Sequence, residues 1–304
     1  MRIVNADLAF PEGPIALSDG SVLVVEMGRG TLTRVTAKGG RQVIATLGGG
    51  PNGAAMGPGG RVFVTNNGGS EYTRDDAGGW RPVLPPTNYT GGRIEVVNPD
   101  TGRFERLYDR CDGEPLNGPN DLAFDADGNF WFTDYCKMPR NPDDRPCIYW
   151  ARSDGSEIRR VVPHMVGPNG IGLSPDGKRL YASETQTSRL FAWDITGPGE
   201  LSKRDWPAIY GAQFLCGSDR PQGFDSLKVT VSGKICIGTL FNGGITEVSP
   251  DGGWARHHPL PELFVTNLAF GGADRKTMFV TFGHRGMLVA LAWHEAGLQL
   301  PFSA

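Results

Sequence analysis

Gly118-Pro119-Asn120-Asp121-Leu122-Ala123-Phe124-Asp125-Ala126-Asp127-Gly128-Asn129-Phe130-Trp131-Phe132-Thr133-Asp134 decides the fold. An oxygen-bearing side chain, Asn120, opens it. A turn ending in Gly128 follows eight residues later, and a short apolar β run completes it. The unit recurs. Glu12 lies eight residues before Gly20, Asn52 before Gly60, Asn169 before Gly177 and Asp225 before Gly233. The β runs that follow are Ser21–Glu26, Arg61–Asn66, Arg179–Ser183 and Lys234–Thr239. A sixth, weaker copy runs Thr266-Asn267-Leu268-Ala269-Phe270-Gly271-Gly272 and leads to Thr277–Thr281.

The copies start 40, 68, 49, 56 and 42 residues apart. About 40 to 50 residues is the span of one four-stranded propeller blade, and the two long intervals contain insertions. Six units predict an all-β, six-bladed propeller filling residues 1–304 as one domain. The last blade needs a strand from the other terminus, and β-prone residues 2–9 can supply it. Copies arranged about an axis bring Glu12, Asn52, Asn120, Asn169 and Asp225 into a ring. Two carboxylates and three amides form an oxygen-rich central metal site of the kind hard cations prefer.

Composition agrees. The chain has 304 residues with 44 glycines and 23 prolines, scattered without a three-residue period. No segment holds a long helical pattern, and no apolar run is long enough for a transmembrane helix. A net charge of −3 and a pI near 6.0, with no basic stripe, argue against nucleic acid as a partner. The N-terminus lacks an apolar signal core. Five cysteines without a C-x-x-C pair indicate a reducing cytoplasm and mostly inert thiols, although Cys136 and Cys147 flank one loop and can pair if oxidised.

Two antiparallel strands joined by a tight turn start and finish at the same end. Glu26, Asn66, Asp134, Ser183 and Thr239, fourteen residues after the ring positions, therefore belong near the ring face. Loops 67–92 and 135–147 should overhang that face, and segment 205–221 should approach it ahead of Asp225. Long loops on one face of a rigid scaffold are where binding usually sits. Asn66, Asn67 and Tyr135 become candidate substrate contacts. His284, three residues after Thr281, joins them as a proton shuttle or a packed histidine. Asn52 is a further candidate near the ion or a metal-bound water, or a strand-start cap. Asp134 and Glu184 stand behind the ring or bond backbone at the strand ends. Phe130, Trp131 and Phe132 read as packing.

The motifs Pro11-Glu12-Gly13-Pro14, Gly118-Pro119-Asn120-Asp121, Gly167-Pro168-Asn169-Gly170-Ile171, Asp225 with its β run and Thr266-Asn267-Leu268-Ala269-Phe270-Gly271-Gly272 resemble the senescence marker protein/gluconolactonase family. That family includes regucalcin, bacterial gluconolactonases and luciferin-regenerating proteins. The resemblance covers nearly the whole chain in order. It implies a six-bladed propeller with a divalent cation held by one Glu, two Asn and one Asp, here Glu12, Asn120, Asn169 and Asp225. It also implies lactone hydrolysis. The similar diisopropyl fluorophosphatase uses the same quartet on phosphoester-like substrates. Animal members carry an Arg two residues before the first metal Asn, where this chain has Gly118. The match is closer to the bacterial gluconolactonase-like branch.

Oxygen ligands favour Ca²⁺, while Mg²⁺, Mn²⁺ or Zn²⁺ can also occupy such a site. The expected chemistry is metal-polarised opening of a small lactone, with Asp225 orienting or deprotonating the water or attacking directly. Two other readings stay open: a phosphotriesterase-like hydrolase, and a non-catalytic cation- or ligand-binding propeller. Asp-Gly turns recur in any meander for backbone reasons alone. A metal-free propeller does not explain Glu12 and Asp225 at equivalent places. Oligomeric state is left open.

Overall fold

Each repeat folds into one antiparallel sheet whose innermost strand carries the ring residue as its second residue. A computed structural model describes residues 1–69, 71–83, 86–139, 144–220 and 222–303. Pro221, which opens the fifth copy, lies outside the described residues. So do 70, 84, 85 and 140–143 in the two overhanging loops.

The first blade runs outward through Pro11–Ala16, Val22–Glu26, Thr31–Val35 and Arg41–Thr46. The second comprises Pro51–Gly57, Arg61–Asn66, Arg93–Val97 and Phe104–Tyr108, and the third Pro119–Phe124, Asn129–Asp134, Cys147–Arg152 and Ile158–Val162. In the fourth, Pro168–Leu173, Arg179–Glu184 and Arg189–Gly197 are followed by Gln213–Gly217, with Glu200–Leu201 also pairing on Arg189–Gly197. The fifth holds Phe224–Val229, Ile235–Thr239, Gly244–Val248 and Ala255–Pro259. The sixth holds Val265–Gly271, Thr277–Phe282 and Met287–Ala292, and its outer strand is Arg2–Asn5 from the other terminus. Every innermost strand touches the innermost strands on either side, and the sixth touches the first. The six blades thus close as a propeller, and the expected terminal closure is present in register Arg2 to Ala290 and Ile3 to Val289.

Packing explains the glycines beside the ring positions. A Cβ at Gly53 would stand 2.6 Å from the Asn120 carbonyl oxygen, and one at Gly170 would stand 2.5 Å from the Leu227 amide nitrogen. Neighbouring inner strands approach too closely there for any side chain. Between blades the sheets bury aromatic and branched residues. Phe63, Phe124, Phe130, Phe132 and Tyr149 fill one such layer, and Trp131, Trp150, Phe191 and Trp193 the next. Phe130, Trp131 and Phe132 are wholly buried packing residues, as the sequence indicated.

Two features differ from the sequence reading. The described part of segment 205–221, residues 205–220, does not simply approach the mouth. It wraps outward, seats Tyr210 edge-on against Phe191 at 5.3 Å and supplies the outer strand Gln213–Gly217 of the fourth blade. Loop 67–92 contains a hairpin of its own, Glu71–Arg74 with Trp80–Val83. Among the described residues no disulfide joins any of the five cysteines. No helix among the described residues is long and apolar enough to cross a membrane.

The closing strand generates a prediction. Val4 is buried against the sixth blade, so deleting residues 1–5 removes at least the ~1.5–3 kcal/mol that burying a valine contributes. The expected result is a lower unfolding midpoint in thermal denaturation. An unchanged midpoint would mean the strand contributes nothing to closure.

Candidate metal centre

The register fixes six equivalent places. Pro11, Pro51, Pro119, Pro168, Phe224 and Val265 pair across from Glu26, Asn66, Asp134, Glu184, Thr239 and Phe282. The residues that follow the first set are Glu12, Asn52, Asn120, Asn169, Asp225 and Thr266. All six are buried, at 1–7% exposure. The fourth blade is one residue longer, so Glu184 rather than Ser183 stands opposite the ring.

Hydroxyl groups tie these places together. In three blades the residue before the strand end accepts a hydrogen bond from its own inner strand and donates one to the next ring residue's carbonyl. Thr65 accepts from Gly53 N (2.8 Å) and donates to Asn120 O. Thr133 accepts from Asp121 N (3.1 Å) and donates to Asn169 O (2.6 Å). Ser183 accepts from Gly170 N (2.9 Å) and donates to Asp225 O (2.6 Å). At the closure Thr266 donates to Pro11 O at 3.0 Å.

A second device fixes the chain entering each ring position. Buried acceptors at or near the strand ends bind a backbone N–H two or three residues ahead of it. Glu26 accepts from Ala9 N (2.9 Å), Asn66 from Gly50 N (2.9 Å), Asp134 from Asn117 N (2.9 Å) and Glu184 from Val166 N (2.8 Å). Glu262 does the same for Phe264 N at 2.9 Å. Asp134 and Glu184 therefore bond backbone, one of the two roles foreseen for them.

The ring's electrostatics are unusual. Glu12 Oε2 accepts from Asn267 Nδ2 (2.7 Å) and Gly13 N (2.8 Å). Burial pushes the Glu12 carboxyl upward; the Asn267 bond opposes this, and the charge of Asp121 adds to it. Asp225 is also pushed well up, first by burial and then by the Glu12 charge, against a hydrogen bond from Asn169. Asp121 is raised by burial and relieved chiefly by Lys228. The Lys228 ammonium lies 3.3 Å from Asn267 Oδ1 and 3.6 Å from Asp121 Oδ2. Three carboxylates and one ammonium leave a formal charge of −2 at the axis. Among the described residues, Asn120 Oδ1 is buried with no hydrogen-bond partner, and so is Asp121 Oδ2. An orphaned amide oxygen beside excess negative charge fits an oxygen-ligated divalent cation.

Asp121 and Lys228 were not singled out in the sequence, and Asn267 was read only as the start of the sixth copy, a place the register gives to Thr266; signals for the other two exist. Asp121 stands where Gly13, Gly53 and Gly170 stand in sister copies, and Lys228 interrupts an apolar inner strand. An apolar cavity of about 280 Å³ lies at the opposite end of the channel, between the far halves of the inner strands and C-terminal residues Leu298, Leu300 and Pro301. The ring carboxylates do not line it.

The expected substrate contacts separate into two groups. Tyr135 stands at the mouth: its ring lies against Gly167, and the Asp225 charge contributes to the upward shift that burial gives its phenol. Asn67, nearly buried, accepts from Gly69 N at 3.2 Å and from the Lys137 ammonium at 3.3 Å. Burial lowers that ammonium to about 8. Asn52 holds its equivalent ring place. Asn66 belongs to the scaffold instead. Its amide is spent on Gly50 N, Gly68 N, Gly48 O and Glu95. His284 is likewise a clip: Nε2 lies 2.7 Å from Asp75 Oδ2, Nδ1 lies 4.0 Å from Glu262 Oε1, and its carbonyl accepts from Trp80 N at 2.7 Å. Trp80 Nε1 donates to Leu8 O (3.1 Å), and Tyr72 packs on Phe10 at 4.8 Å. The hairpin from the second blade is thereby docked over the first and sixth.

A model of the SMP-30/Gluconolactonase/LRE-like region matches residues 10–284. The chain belongs to this family. It is 28% identical over 218 residues to a diisopropyl-fluorophosphatase of Loligo vulgaris, covering 66% of each chain. It is 24% identical over 314 residues to a gluconolactonase of Zymomonas mobilis, covering 93% of this chain and 79% of that one. A solved calcium-binding regucalcin of Agrobacterium tumefaciens superposes with a TM-score of 0.73 at 18% identity, over 98% of this chain and 97% of that one. At that identity the likeness speaks to the fold.

Two predictions follow from the geometry. Thr133→Val keeps shape but strips a wholly buried clasp, leaving Asn169 O and Asp121 N without it; the expected loss is about 1–3 kcal/mol in denaturant unfolding. The second concerns the clip. Asp75 is held well below the usual carboxylate range, first by His284 and then by Gly79 N. A depressed folded value means the stabilisation is present above the ordinary aspartate range and is lost as pH falls through the folded one. Hydrogen-exchange protection of the Trp80 amide should persist from neutral pH to below the ordinary aspartate range. In Asp75→Asn it should already be reduced at neutral pH; equal protection in both proteins would exclude the clip.

Proposed function

We propose that this protein is a divalent-cation-dependent hydrolase that opens the ring of a small lactone. Glu12, Asn120, Asn169 and Asp225 would hold the cation, with Ca²⁺ favoured by the all-oxygen donor set. The observation that carries the proposal is the buried, unpartnered Asn120 Oδ1 beside an axis with a formal charge of −2. When bound, the cation supplies a Lewis acid for the carbonyl oxygen and the opposite charge that keeps Glu12 and Asp225 ionised.

This chain's residues supply the rest. Asn267 bonds Glu12 and orients it. Asn169 bonds Asp225. The Lys228 ammonium offsets Asp121 and bonds the amide oxygen of Asn267, which fixes that amide's orientation. Asp225, in its ionised form, takes the proton of the attacking water. The water oxygen bonds the carbonyl carbon, the ring C–O bond breaks, and the proton on Asp225 passes to the departing alkoxide. Lactone and water give a hydroxy acid, with no other reactant consumed. Tyr135, Asn67 and Asn52 line the approach. His284 and Asn66 act on the scaffold rather than on substrate.

A phosphotriesterase-like activity is the second reading. It rests on the similarity to the fluorophosphatase, 28% over 218 residues, and needs the same cation and the same carboxylate. The reducing cytoplasm read from the cysteine usage of the sequence is part of this proposal.

The test is turnover on a panel of sugar, aliphatic and aromatic lactones plus diisopropyl fluorophosphate, before and after chelation. Lactone turnover should vanish with chelation and return with one cation. Asp225→Asn should lower kcat by roughly 10²–10⁴-fold, the usual range for loss of an acid–base group. Undiminished turnover in chelator, or in Asp225→Asn, contradicts the proposal. Turnover of the fluorophosphate alone selects the second reading.

A further inference from the structure

A second group of ligating side chains lies away from the axis, where the fifth blade meets the segment after the sixth. Glu247 sits on Gly244–Val248 and is 2% exposed. Its two oxygens each face an imidazole: His294 Nε2 lies 2.8 Å from Oε1, and His258 Nε2 lies 3.2 Å from Oε2. Glu295 stands beside them, and one ligand atom each from Glu247, His294 and Glu295 falls within 4.8 Å of the others.

We propose that Glu247, His294 and Glu295, whose ligand atoms converge, form a peripheral site for a borderline transition-metal ion, Zn²⁺ in the first instance, with His258 bonded to the other oxygen of Glu247 as its outer partner. Imidazole nitrogens with carboxylate oxygens are the donor set zinc takes. With bonds of about 2.0–2.1 Å, the edge of a tetrahedral zinc site is roughly 3.3 Å. The separation of 2.8 Å between His294 Nε2 and Glu247 Oε1 is near that edge. The rings are also prearranged. His258 and His294 lie 25° apart in plane at 6.1 Å, and Trp293 packs on both at 4.8 and 4.9 Å. The oxygen-only ring and this nitrogen-bearing cluster therefore suit different ions, and this inference does not depend on the first site.

Lys234 is the internal competitor. Its ammonium lies 2.8 Å from Glu295 Oε2 and 3.9 Å from Glu247 Oε1. Without an ion it balances part of the acidic charge; with one, it must yield Glu295 to the site. The position also suggests a consequence. Beyond Glu295 the chain crosses to the far end of the channel, where Leu298 N donates to Val229 O at 2.9 Å. An ion here would pin that closing segment to the fifth blade.

The experiment uses the full chain saturated with Ca²⁺ and titrated with Zn²⁺ against a chromophoric chelator. One Zn²⁺ per chain is expected, together with a higher unfolding midpoint. His294→Ala, at a half-exposed position, and His258→Ala should each weaken binding by at least the order of 10–100-fold that even an outer-shell partner contributes, and should abolish the zinc-dependent rise. Their midpoints without zinc, beside that of the parent, show that they fold. Hydrolysis by the Ca²⁺-loaded protein should be unaffected by His294→Ala. Zinc binding that survives both substitutions, or no zinc bound once Ca²⁺ is saturating, overturns the proposal.

Discussion

Three carboxyl groups buried together in one channel are the constraint around which this propeller is organised. Glu12, Asp121 and Asp225 are desolvated together, and Lys228 offsets only one of them. Burying charge is costly unless a partner compensates it. Part of the compensation is built in: amides from Asn267 and Asn169, the Gly13 N–H and one ammonium. With all three carboxylates ionised a formal charge of −2 remains, which the proposed divalent cation would balance. The proposed cation would also give a ligand role to Asn120 Oδ1, which has no hydrogen-bond partner among the described residues.

The scaffold serves to hold these repelling groups in place. Thr65, Thr133 and Ser183 each pass a hydrogen bond from one blade to the next ring carbonyl, and Thr266 carries the link across the closure. Glu26, Asn66, Asp134, Glu184 and Glu262 fix the chain just ahead of the ring. These polar groups are buried and paired, so they specify geometry as well as contributing stability. The glycines at 53 and 170 let the inner strands close tightly enough for those bonds to form.

Much of this was legible in the sequence because the repeat carries its own register. An eight-residue spacing from ring side chain to turn glycine marks where each inner strand begins, and period-two strands then fix which ends share a face. The blade count, the strand from the other terminus and the equivalent places of Glu12, Asn52, Asn120, Asn169 and Asp225 all follow from that. What escaped were residues defined by contacts across the axis. Asp121, Lys228 and Asn267 come from three different blades, and no local pattern shows that they meet. Asn66 and His284 illustrate the converse. Each stands at the correct end of its strand, yet Asn66 spends its amide on Gly50, Gly68 and Glu95, and His284 is taken up by a hairpin more than 200 residues away in sequence. Position along a strand gives the face but not the partner.

The central claim is that one divalent cation completes the ring. Anomalous diffraction from crystals grown with a calcium-mimicking lanthanide would test it most directly. The account predicts a peak on the axis within bonding distance of Glu12, Asn120, Asn169 and Asp225, with Asn120 Oδ1 among the ligands. An axis without a peak, and Asn120 Oδ1 bonded instead to water or protein, would contradict it.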